Sequence, residues 1–346
     1  MKVEHRILQQ FIADILLAAG VDSQEAPLIA HTFVWFDLIG RDTQGVSRLP
    51  AYLKRLAHGL ITSPSHPEFN QKSDTIYLVD GHHGFGHYLG HVAMLKAIDV
   101  ATKHGVGLVG VRQSNHFGAA AYYVQLAAQS CQIGLAWSNS VPHVAPYGGV
   151  TPTLGTNPFA FGAPVRDGHS VLVDFSTGAS AGSVLAKAAS ENQPIPQGVM
   201  IDTDGNPITN PQDVAKGVLL PFGGAKGFCL GLVIEILSGV VTGAAISHEI
   251  ASLHNDFSKN SSIGHLFIAI DVAKLMPIEN YFARMDLLVS FIKGAKKQKG
   301  VDEILLPGET RWRNYSRQLK YGIDLELRAV QSLTDMAKNF ALSTPW

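Results

Sequence analysis

Hydrophobic positions recur along the chain with two periods, and the two periods predict an alternation of helices and strands. In the first 62 residues they recur every three or four positions, which predicts helices. A longer helix is predicted over residues 88–105. Short apolar runs between turn-forming residues predict strands at TIYLVD (75–80), VGLVGV (106–111), IGLAWSN (133–139), SVLVDFS (170–176) and LFIAID (266–271). This alternation is typical of the α/β or α+β class.

Two segments depart from the regular alternation. Residues 178–216 are polar and contain four prolines, and DTDGNP within them is a turn signal, so we expect a loop region with a hairpin. Residues 227–245 form the one membrane-like run, but Glu235 in its middle would cost about 2.5–3.5 kcal/mol in a bilayer. This run is therefore expected to be a buried helix, and a closing helical segment is expected from Glu279 onwards.

Composition narrows the class of protein. The 346 residues are 46% hydrophobic and 16% charged, which is typical of a large globular core. A formal net charge of −1 removes the electrostatic argument for a nucleic-acid or anionic-membrane partner. Cys131 and Cys229 have no metal or disulfide spacing, and the N-terminal helix lacks a signal-peptide pattern. We therefore expect a cytoplasmic protein.

His116, in SNHFGAAAYY, follows a predicted strand and precedes an alanine-rich segment that predicts a helix. A strand-to-helix corner exposes side chains and backbone N–H groups to a ligand. The histidine can therefore transfer a proton, or it can be a polar residue that the fold keeps hydrogen-bonded. The segment alone leaves both interpretations open.

The histidine-rich segment GHHGFGHYLG (81–90) also connects a predicted strand to a helix. Its spacing is GxGxxxG rather than GxGxxG, and the next strand ends in Arg112 without an acidic residue for a ribose. We therefore expect a tight turn. His87 and His91 are four residues apart, as metal ligands can be, but no carboxylate ligand accompanies them. Surface or interface histidines, and no metal, are expected.

Several other residues are of a type that binds anions. Arg48 has the fork geometry that pairs with a substrate carboxylate, although a surface salt bridge is an equal alternative. Thr156 and Asn157, in GTNPFAFGAPV, can hold a carboxylate or cap the turn. Asp174 ends a strand, where it can orient a histidine, contact a cofactor amide or cap a turn. Lys226 lies between glycines before a helix, a weak signal for a phosphate site.

Taken together and in order, these segments resemble the malate/L-lactate dehydrogenase family, which is unrelated to the Rossmann-type lactate dehydrogenases. The resemblance covers nearly the whole chain. It is carried by RLPAYLKRLAHGLI, SNHFGAAAYY, GTNPFAFGAPV, PFGGAKGF, FIAID and LPGE.

The resemblance implies an α/β fold with a non-Rossmann nicotinamide-binding sheet domain and a helical domain formed by both chain ends. We place the helical domain at residues 1–70 with 279–346, and the nucleotide-binding domain at 71–278. The resemblance also implies a homodimer with active sites near the interface, and NADH or NADPH as cofactor.

Particular residues match functional positions of that family. His116 matches a proton donor and acceptor, and Arg48 matches a substrate-side arginine. The positions that match contacts to the dinucleotide are Ser140, Asp174, Phe175, Ser176, Lys226, Pro307, Gly308 and Glu309.

Three departures from the family pattern bear on catalysis. Thr43-Gln44-Gly45 stands where members often have Ser-His-Gly, and some members use that histidine as the acid. Gln44 can donate a hydrogen bond to the substrate but cannot deliver a proton. Ser183 stands where many members have lysine, and Ala225 where many have histidine.

We therefore expect an enzyme that interconverts a small 2-oxo acid and a 2-hydroxy acid by hydride transfer. His116 would act as the acid, with Asp174 and Gln44 assisting, while Arg48, Thr156 and Asn157 bind the carboxylate. One alternative is a reductase of a cyclic imino acid, because an iminium is already protonated and tolerates the loss of an acid at position 44. Another alternative is a nucleotide-binding paralogue whose catalysis is lost or specialised.

Overall fold

The structure, a computed structural model, describes residues 1–166 and 168–346, and for Ser183 it describes the backbone alone. The strands are β1 (Lys2–Val3), β2 (Glu68–Gln71), β3 (Ile76–Asp80), β4 (Val106–Ser114), β5 (Gln132–Ser138), β6 (Phe159–Ala163), β7 (Val171–Phe175), β8 (Met200–Ile201), β9 (Val218–Leu219), β10 (Ile263–Asp271) and β11 (Ile323–Asp324). The α-helices are α1 (His5–Ala18), α2 (Ala26–Leu38), α3 (Leu49–Ala57), α4 (Gly86–His104), α5 (Ala121–Gln129), α6 (Gly182–Ser190), α7 (Ala225–Glu235), α8 (Ile278–Lys293), α9 (Glu309–Tyr321) and α10 (Leu327–Asn339).

Seven of the described strands form one mixed sheet in the order β2-β3-β4-β10-β5-β6-β7. Only β3 and β4 among these pairs run parallel, while the remaining pairs are antiparallel. The strand predicted last in the sequence, β10, therefore lies in the middle of the sheet. The expected α/β class and the alternation of strands and helices are confirmed.

Side-chain alternation on the central strand separates two cores. Phe267 and Ala269 of β10 face a core that includes α4, α5 and part of α2, while Leu266 faces the opposite side with Trp137 and Ile234. The residue period of two along a strand produces this division. The sheet is thus covered by helices on both faces, which is why its strands are apolar almost throughout.

The two chain ends pack together. β1 pairs with β11, and a third core contains apolar residues of α1, α2, α3 and α10. Helices from both ends of the chain thus share one hydrophobic core. The division into domains near residues 71 and 279 stays a prediction.

Two expectations for the region after β7 need correction. The polar stretch over 178–216, expected to be a loop with a hairpin, contains β8, which pairs with β9 just after the stretch, but it also contains α6. The run expected to be one buried helix over 227–245 is α-helical only to Glu235 and continues as a π-helical turn over Ile236–Val240. One face packs on the sheet, whereas the other leaves large apolar side chains between 41% and 63% exposed, at Leu232, Val233, Ile236, Val240 and Val241.

The π-helical turn requires a glycine on the strand beneath it. A Cβ at Gly264 would lie 1.7 Å from the carbonyl oxygen of Ser238 and 2.7 Å from the Cβ of Ala244. We expect Gly264→Ala to lower the free energy of unfolding by more than about 2 kcal/mol, because backbone atoms must move to accept the methyl group. Urea unfolding of both proteins measures the difference.

Gly182→Ala is the matched control for Gly264→Ala. Nothing lies within 4 Å of a Cβ at this position, which is the first residue of α6. Its stability should stay within about 1 kcal/mol of the parent, on the favourable side, because alanine has the higher helix propensity. A similar loss in both variants would contradict the packing argument.

Candidate active site

His116 lies in the loop between β4 and α5. The turn at residues 81–86, which precedes α4, supports this loop. Asn115 donates from Nδ2 to the carbonyl oxygens of His83 and Gly84, at 2.8 and 3.0 Å. A Cβ at Gly86 would lie 2.1 Å from the carbonyl oxygen of Asn115. The backbone of His83 has a positive φ of 60°, so the predicted tight turn is confirmed. This turn therefore fixes the backbone that carries His116.

The ring of His116 is held by a tyrosine rather than by a carboxylate. The hydroxyl of Tyr52 lies 2.5 Å from Nδ1, and the backbone N–H of Gly118 donates to the same nitrogen at 3.3 Å. Nδ1 is therefore an acceptor in the neutral ring, and Nε2 carries the proton. Burial, and then the positive charge of Arg48, lower the pKa of His116 well below its usual value. The ring is thus neutral at pH 7 in the free protein.

One face of α3 organises this part of the site. Arg48, Tyr52 and Arg55 are spaced i, i+4 and i+7, which aligns them along one side of a helix. The tyrosine is fully buried, with its ring 5.4 Å from that of Phe33, and burial raises its pKa. It therefore stays a neutral hydroxyl that can either donate or accept a hydrogen bond.

Arg48 is partly exposed and its guanidinium is already oriented. Its Nε donates to the carbonyl oxygen of Thr43 at 2.7 Å, and its Nη1 donates to Nε2 of His254. The positive charge of Arg48 also lowers the pKa of His116 and of His254, which indicates that all three groups are close. The structure thus brings the predicted arginine and the predicted histidine together.

The segment before Arg48 is anchored from α2. Oδ2 of Asp37 accepts a hydrogen bond from the N–H of Val46 at 3.0 Å, and burial raises the pKa of this carboxyl well above its usual value. A Cβ at Gly45 would lie 2.0 Å from Oδ1 of Asp37. Within this segment, Oε1 of Gln44 is buried and has no hydrogen-bond partner among the described residues. A buried carbonyl without a partner is costly unless a ligand supplies the donor.

Asn157 serves the structure around Ser140 rather than an open pocket. Its Nδ2 donates to the carbonyl oxygen of Gly231 and to Oε2 of Glu235, and its Oδ1 accepts from the N–H of Ser140. The neighbouring Thr156 accepts at its carbonyl oxygen from the N–H of Thr177. For Asn157, the alternative of capping the turn therefore describes its contacts better than carboxylate binding.

Glu235 was noted in the sequence only as an obstacle to membrane insertion. In the structure, it joins α7 to the segments that carry Asn139, Asn157 and Ser247. Besides Asn157, it accepts from Nδ2 of Asn139 at 3.3 Å and from the N–H of Ser247 at 3.0 Å. The side chain is buried, and these hydrogen bonds satisfy it. The loop that carries Ser140 is thereby tied to α7.

Asp174 pairs with two arginines. Its Oδ2 lies 3.4 Å from Arg41 and 3.3 Å from Arg311, and both guanidinium groups also donate to its carbonyl oxygen. None of its described hydrogen bonds reaches a histidine, so the tyrosine of α3 takes the orienting role that the sequence suggested for Asp174. Two positive charges against one negative charge leave a local excess that suits an anion. Beside it, Phe175 is 37% exposed, and Ser176 is half-buried.

Lys226 lies in the first turn of α7, after two glycines with positive φ, Gly223 and Gly224. It is exposed and has no hydrogen bond or ion pair among the described residues. Its neighbour Ala225 leaves this turn without the expected histidine, and the side chain of Ser183 lies outside the described residues. A free ammonium at a helix N-terminus remains suited to a phosphate.

Pro307, Gly308 and Glu309 form a turn against β7. The carbonyl oxygen of Pro307 accepts from the N–H of Leu172 at 2.9 Å, and the backbone of Gly308 has a φ of +98°. Glu309 caps the turn at the N–H of Leu306 and pairs with Lys293. This turn borders a cleft of about 580 Å³ between β7, α8 and α9, and His116 is not among the residues that line it.

The expectation that His87 lies at the surface or an interface is wrong. It is fully buried among Phe33, Phe36 and Tyr52, and neither ring nitrogen has a hydrogen-bond partner in the described part of the chain. Burial, and then the nearby His265, lower the pKa of His87 to about 3. The aromatic side chains around His87 belong to α2 and α3. The sequence pattern did not reveal that these helices pack against α4, which carries His87.

His265 is the second buried imidazole. It is satisfied by Ser138 and Ser114, whose Oγ atoms lie 2.9 and 2.8 Å from its two nitrogens, and it stacks on Phe117 at 4.4 Å. Burial lowers its pKa to about 3 as well. Across the described residues, no three His, Cys, Asp or Glu side chains gather in a way that could hold a metal ion.

Sequence reasoning missed Tyr52, Arg55 and His254, and also His143, whose charge lowers the pKa of His254. The spacing of polar residues on the α3 face was a signal for the first two. The two histidines lie in loops far from His116 in sequence, and nothing local marks them.

Comparison with known proteins identifies the family of this arrangement. The sequence profile of malate/L-lactate dehydrogenases matches residues 3–334. The chain belongs to the malate/L-lactate dehydrogenase family. None of its described helices has the length and apolar character needed to cross a membrane.

The relatives include enzymes of known name and structure. The malate/(S)-sulfolactate dehydrogenase of Methanothermus fervidus is 36% identical over 338 residues, which cover 98% of each chain. The malate dehydrogenase of Entamoeba histolytica superposes with a TM-score of 0.95 at 30% identity, covering 100% of this chain and 99% of that one. The Δ1-piperideine-2-carboxylate reductase of Pseudomonas syringae has a TM-score of 0.88 at 30% identity, covering 97% and 100%.

The buried histidines should make this protein sensitive to acid. The pKa of His87 is lower in the folded than in the unfolded state, so its stabilising effect is complete above pH 6.5 and is lost as the pH falls towards 3. At pH 5 the loss is about 2 kcal/mol. His87→Phe should therefore lose about 2 kcal/mol less stability than the parent between pH 7.5 and pH 5, as measured by urea unfolding at each pH.

The exposed His248 provides the control. His248→Gln should keep the acid sensitivity of the parent protein. If His87→Phe and the parent lose stability equally between the two pH values, the buried imidazole is not the source.

Proposed function

We propose that the protein is a nicotinamide-dependent oxidoreductase that interconverts a small 2-oxo acid and the corresponding 2-hydroxy acid. The observation that carries this proposal is the juxtaposition of a proton-transferring group and a carboxylate-binding group. His116 and Arg48 are joined through one face of α3, with Tyr52 between them in the helix. The names of the relatives, malate and sulfolactate dehydrogenases, fit the same chemistry.

His116 moves the proton. In reduction, Nε2–H of the imidazolium gives its proton to the oxygen of the substrate carbonyl, which leaves a neutral ring with its proton on Nδ1. In oxidation, this tautomer takes the hydroxyl proton back at Nε2. Tyr52 assists throughout because its hydroxyl accepts from Nδ1–H in the imidazolium and in this tautomer, and donates to Nδ1 when the resting ring carries its proton on Nε2. No carboxylate is needed to orient the ring.

Arg48 binds and orients the substrate carboxylate. Thr43 and His254 occupy its Nε and one Nη1 hydrogen, so the remaining N–H groups of the guanidinium are free to pair with an anion. Holding the carboxylate there directs the adjacent carbonyl towards His116. Such positioning contributes several kcal/mol to catalysis.

The residues present fit a dinucleotide. Lys226 has no described partner, and Arg41 and Arg311 share the single carboxylate of Asp174, so both places can accept a phosphate. The exposed ring of Phe175 offers an apolar surface beside them. A nicotinamide dinucleotide bound here would supply the hydride.

We infer that NADH is preferred over NADPH. A 2′-phosphate needs a cation that is not already neutralised. In the cleft beside Pro307, Arg166 pairs with Glu279 and Asp286, and the guanidinium of Arg313 pairs with Glu303. The cleft therefore favours the uncharged ribose hydroxyl.

Reduction of a cyclic imino acid is the second candidate, and one observation favours it. Oε1 of Gln44 is buried without a described partner, and the N–H of a cyclic iminium would supply the missing donor. The structural similarity to a piperideine-2-carboxylate reductase is consistent with this alternative. A paralogue without catalysis is less well supported, because the pairing of His116 with Tyr52 and the oriented Arg48 are intact.

We also propose a homodimer formed through α7. The apolar stripe of this helix and its π-helical turn remains exposed in a single chain, at Leu232, Val233, Ile236, Val240 and Val241. Exposed stripes of this kind mark protein interfaces. No charge pattern supports a nucleic-acid partner, since the formal net charge is −1.

His116→Gln tests the catalytic assignment. NADH and NADPH oxidation at 340 nm is followed with a panel of 2-oxo acids and cyclic imino acids. We expect substrate-dependent turnover with NADH, best with a 2-oxo acid, and a loss of about 10²- to 10⁴-fold in kcat in the variant. Because the pKa of His116 is lowered, kcat/KM for reduction should fall as the pH rises through the neutral range.

Oxidation of the hydroxy acid should have the opposite pH dependence, since it needs the neutral ring. It should be level above the pKa of His116 and decline below it. His248→Gln serves as the control and should match the parent. Full turnover by His116→Gln would refute the assignment, and faster reduction of imines than of 2-oxo acids would select the second candidate.

The dimer proposal is tested by charge insertion. Val233→Asp with Val240→Asp should convert the dimer to a monomer in light scattering, because two carboxylates would be buried in an apolar contact. The control is Leu327→Asp, which alters a residue that is 80% exposed and outside the stripe. A dimer that survives the double substitution, or a monomeric parent, would rule out this interface.

A further inference from the structure

His254 lies in the loop that connects the π-helical turn to β10, and a buried arginine fixes this loop on α3. Arg55, fully buried, donates from Nη1 to the carbonyl oxygens of Ser252 and Asp256 and from Nη2 to that of Lys259. The loop therefore closes over the same helix face that carries Arg48. This contact places His254 beside Arg48, the residue proposed to bind the substrate carboxylate.

The hydrogen bond between Arg48 and His254 defines the state of the imidazole. An arginine can only donate, so Nε2 of His254 must be the acceptor and its proton is on Nδ1. A neutral imidazole thus occupies one N–H group of the guanidinium. A carboxylate that arrives at Arg48 meets this imidazole beside it.

The charged groups around His254 come from every element packed against it. Arg48 at the start of α3, His116 in the loop after β4 and His143 in the loop after β5 interact electrostatically with it, while the buried Arg55 of α3 binds the backbone of its loop at Ser252. On its own loop lie Lys259 and Asp256, and the carboxylate of Asp256 is engaged by the N–H and Oγ of Ser258. Positive or protonatable groups predominate.

This balance of charge disfavours a proton on His254 until an anion arrives. Burial, and then Arg48 and His143, lower its pKa. A carboxylate bound to Arg48 would supply the missing negative charge and reverse the effect. The imidazole would then turn from an acceptor into a donor.

We propose that His254 is a positioning residue that takes up a proton when the substrate carboxylate binds, and that its imidazolium then shares the carboxylate with Arg48. This proposal rests on the proposed function, in which Arg48 binds that carboxylate. In the empty site the neutral ring keeps the guanidinium in place. In the complex, protonation at Nε2 breaks the hydrogen bond from Arg48, so Nη1–H of Arg48 and Nε2–H of His254 can both donate to the carboxylate and restrict it to one orientation.

The proposal predicts a pH dependence of binding that is separate from the proton transfer by His116. Between the pKa of His254 in the free site and its higher pKa in the complex, proton uptake makes the affinity fall by up to tenfold for each unit of pH. KM for the 2-oxo acid should therefore rise with pH. In His254→Gln, whose amide still accepts from Arg48 but cannot be protonated, KM should be raised and independent of pH, while kcat changes less than threefold.

Calorimetry measures the number of protons taken up when the anion binds. Oxamate, an unreactive analogue of a 2-oxo acid, is titrated into the NADH complex at pH 7.5 in phosphate and in Tris, which differ in ionisation enthalpy. The titrations use His116→Gln as background, so that His116 contributes no proton. This protein should take up about one proton per oxamate, and the double variant His116→Gln/His254→Gln should take up none.

A permanently charged residue provides the second test. His116→Gln/His254→Lys should bind oxamate without proton uptake and with an affinity independent of pH, which a merely structural role of His254 would not produce. Melting temperatures establish that each variant is folded, and His116→Gln/His248→Gln should retain the full uptake.

The outcomes separate this inference from the proposed function. Equal uptake with and without His254, or no binding of oxamate at all, would overturn the role given to His254. Absence of turnover by the parent on every 2-oxo acid would instead refute the proposed function, and the calorimetry would still report on the anion site.

Discussion

Burial of imidazole groups without a carboxylate to neutralise them is the constraint on which this site depends. His87, His116 and His265 lie in or against an aromatic core, and Arg48 adds a positive charge beside His116. Desolvation and like charge both oppose protonation, so the rings are held neutral. The negative charge that would balance them must arrive with the ligand. Protonation of the empty site is therefore unfavourable, and it becomes favourable when an anion binds.

The helix α3 fixes the relative positions of the groups in this site. Its polar face holds the ring of His116, the proposed proton carrier, through Tyr52, and it carries Arg48, the proposed carboxylate-binding group, at its N-terminal end. One rigid element therefore determines the distance between the two groups. Sites supported by a helix keep their geometry better than sites made of loops alone. Asp37, acting through the N–H of Val46, secures the segment that leads into this helix.

Much of the fold could be predicted from the sequence, because strands and helices with a strong period have few alternatives. The apolar run of β10 predicted a strand, although not its central place in the sheet, and the glycine spacing before α4 predicted a tight turn. The helix α6 was missed because prolines and polar residues around it imitate a loop, and the exposed face of α7 because hydrophobicity does not tell which contact will cover it. Within the site, His116 and Arg48 could be proposed from local context and resemblance. His254 could not, since its partner lies 206 residues away in sequence and only the folded chain joins them.

The anchoring of the loop by Arg55 has a consequence for how this enzyme scaffold can change. All three carbonyl oxygens that the guanidinium binds belong to the backbone. The loop therefore keeps its place whatever side chains it carries, so long as the arginine persists. The side chain at position 254 can change without loss of this backbone anchor, and the contact between His116 and Tyr52 does not depend on it. Substitutions at position 254 are therefore expected to change the anion site without unfolding the loop.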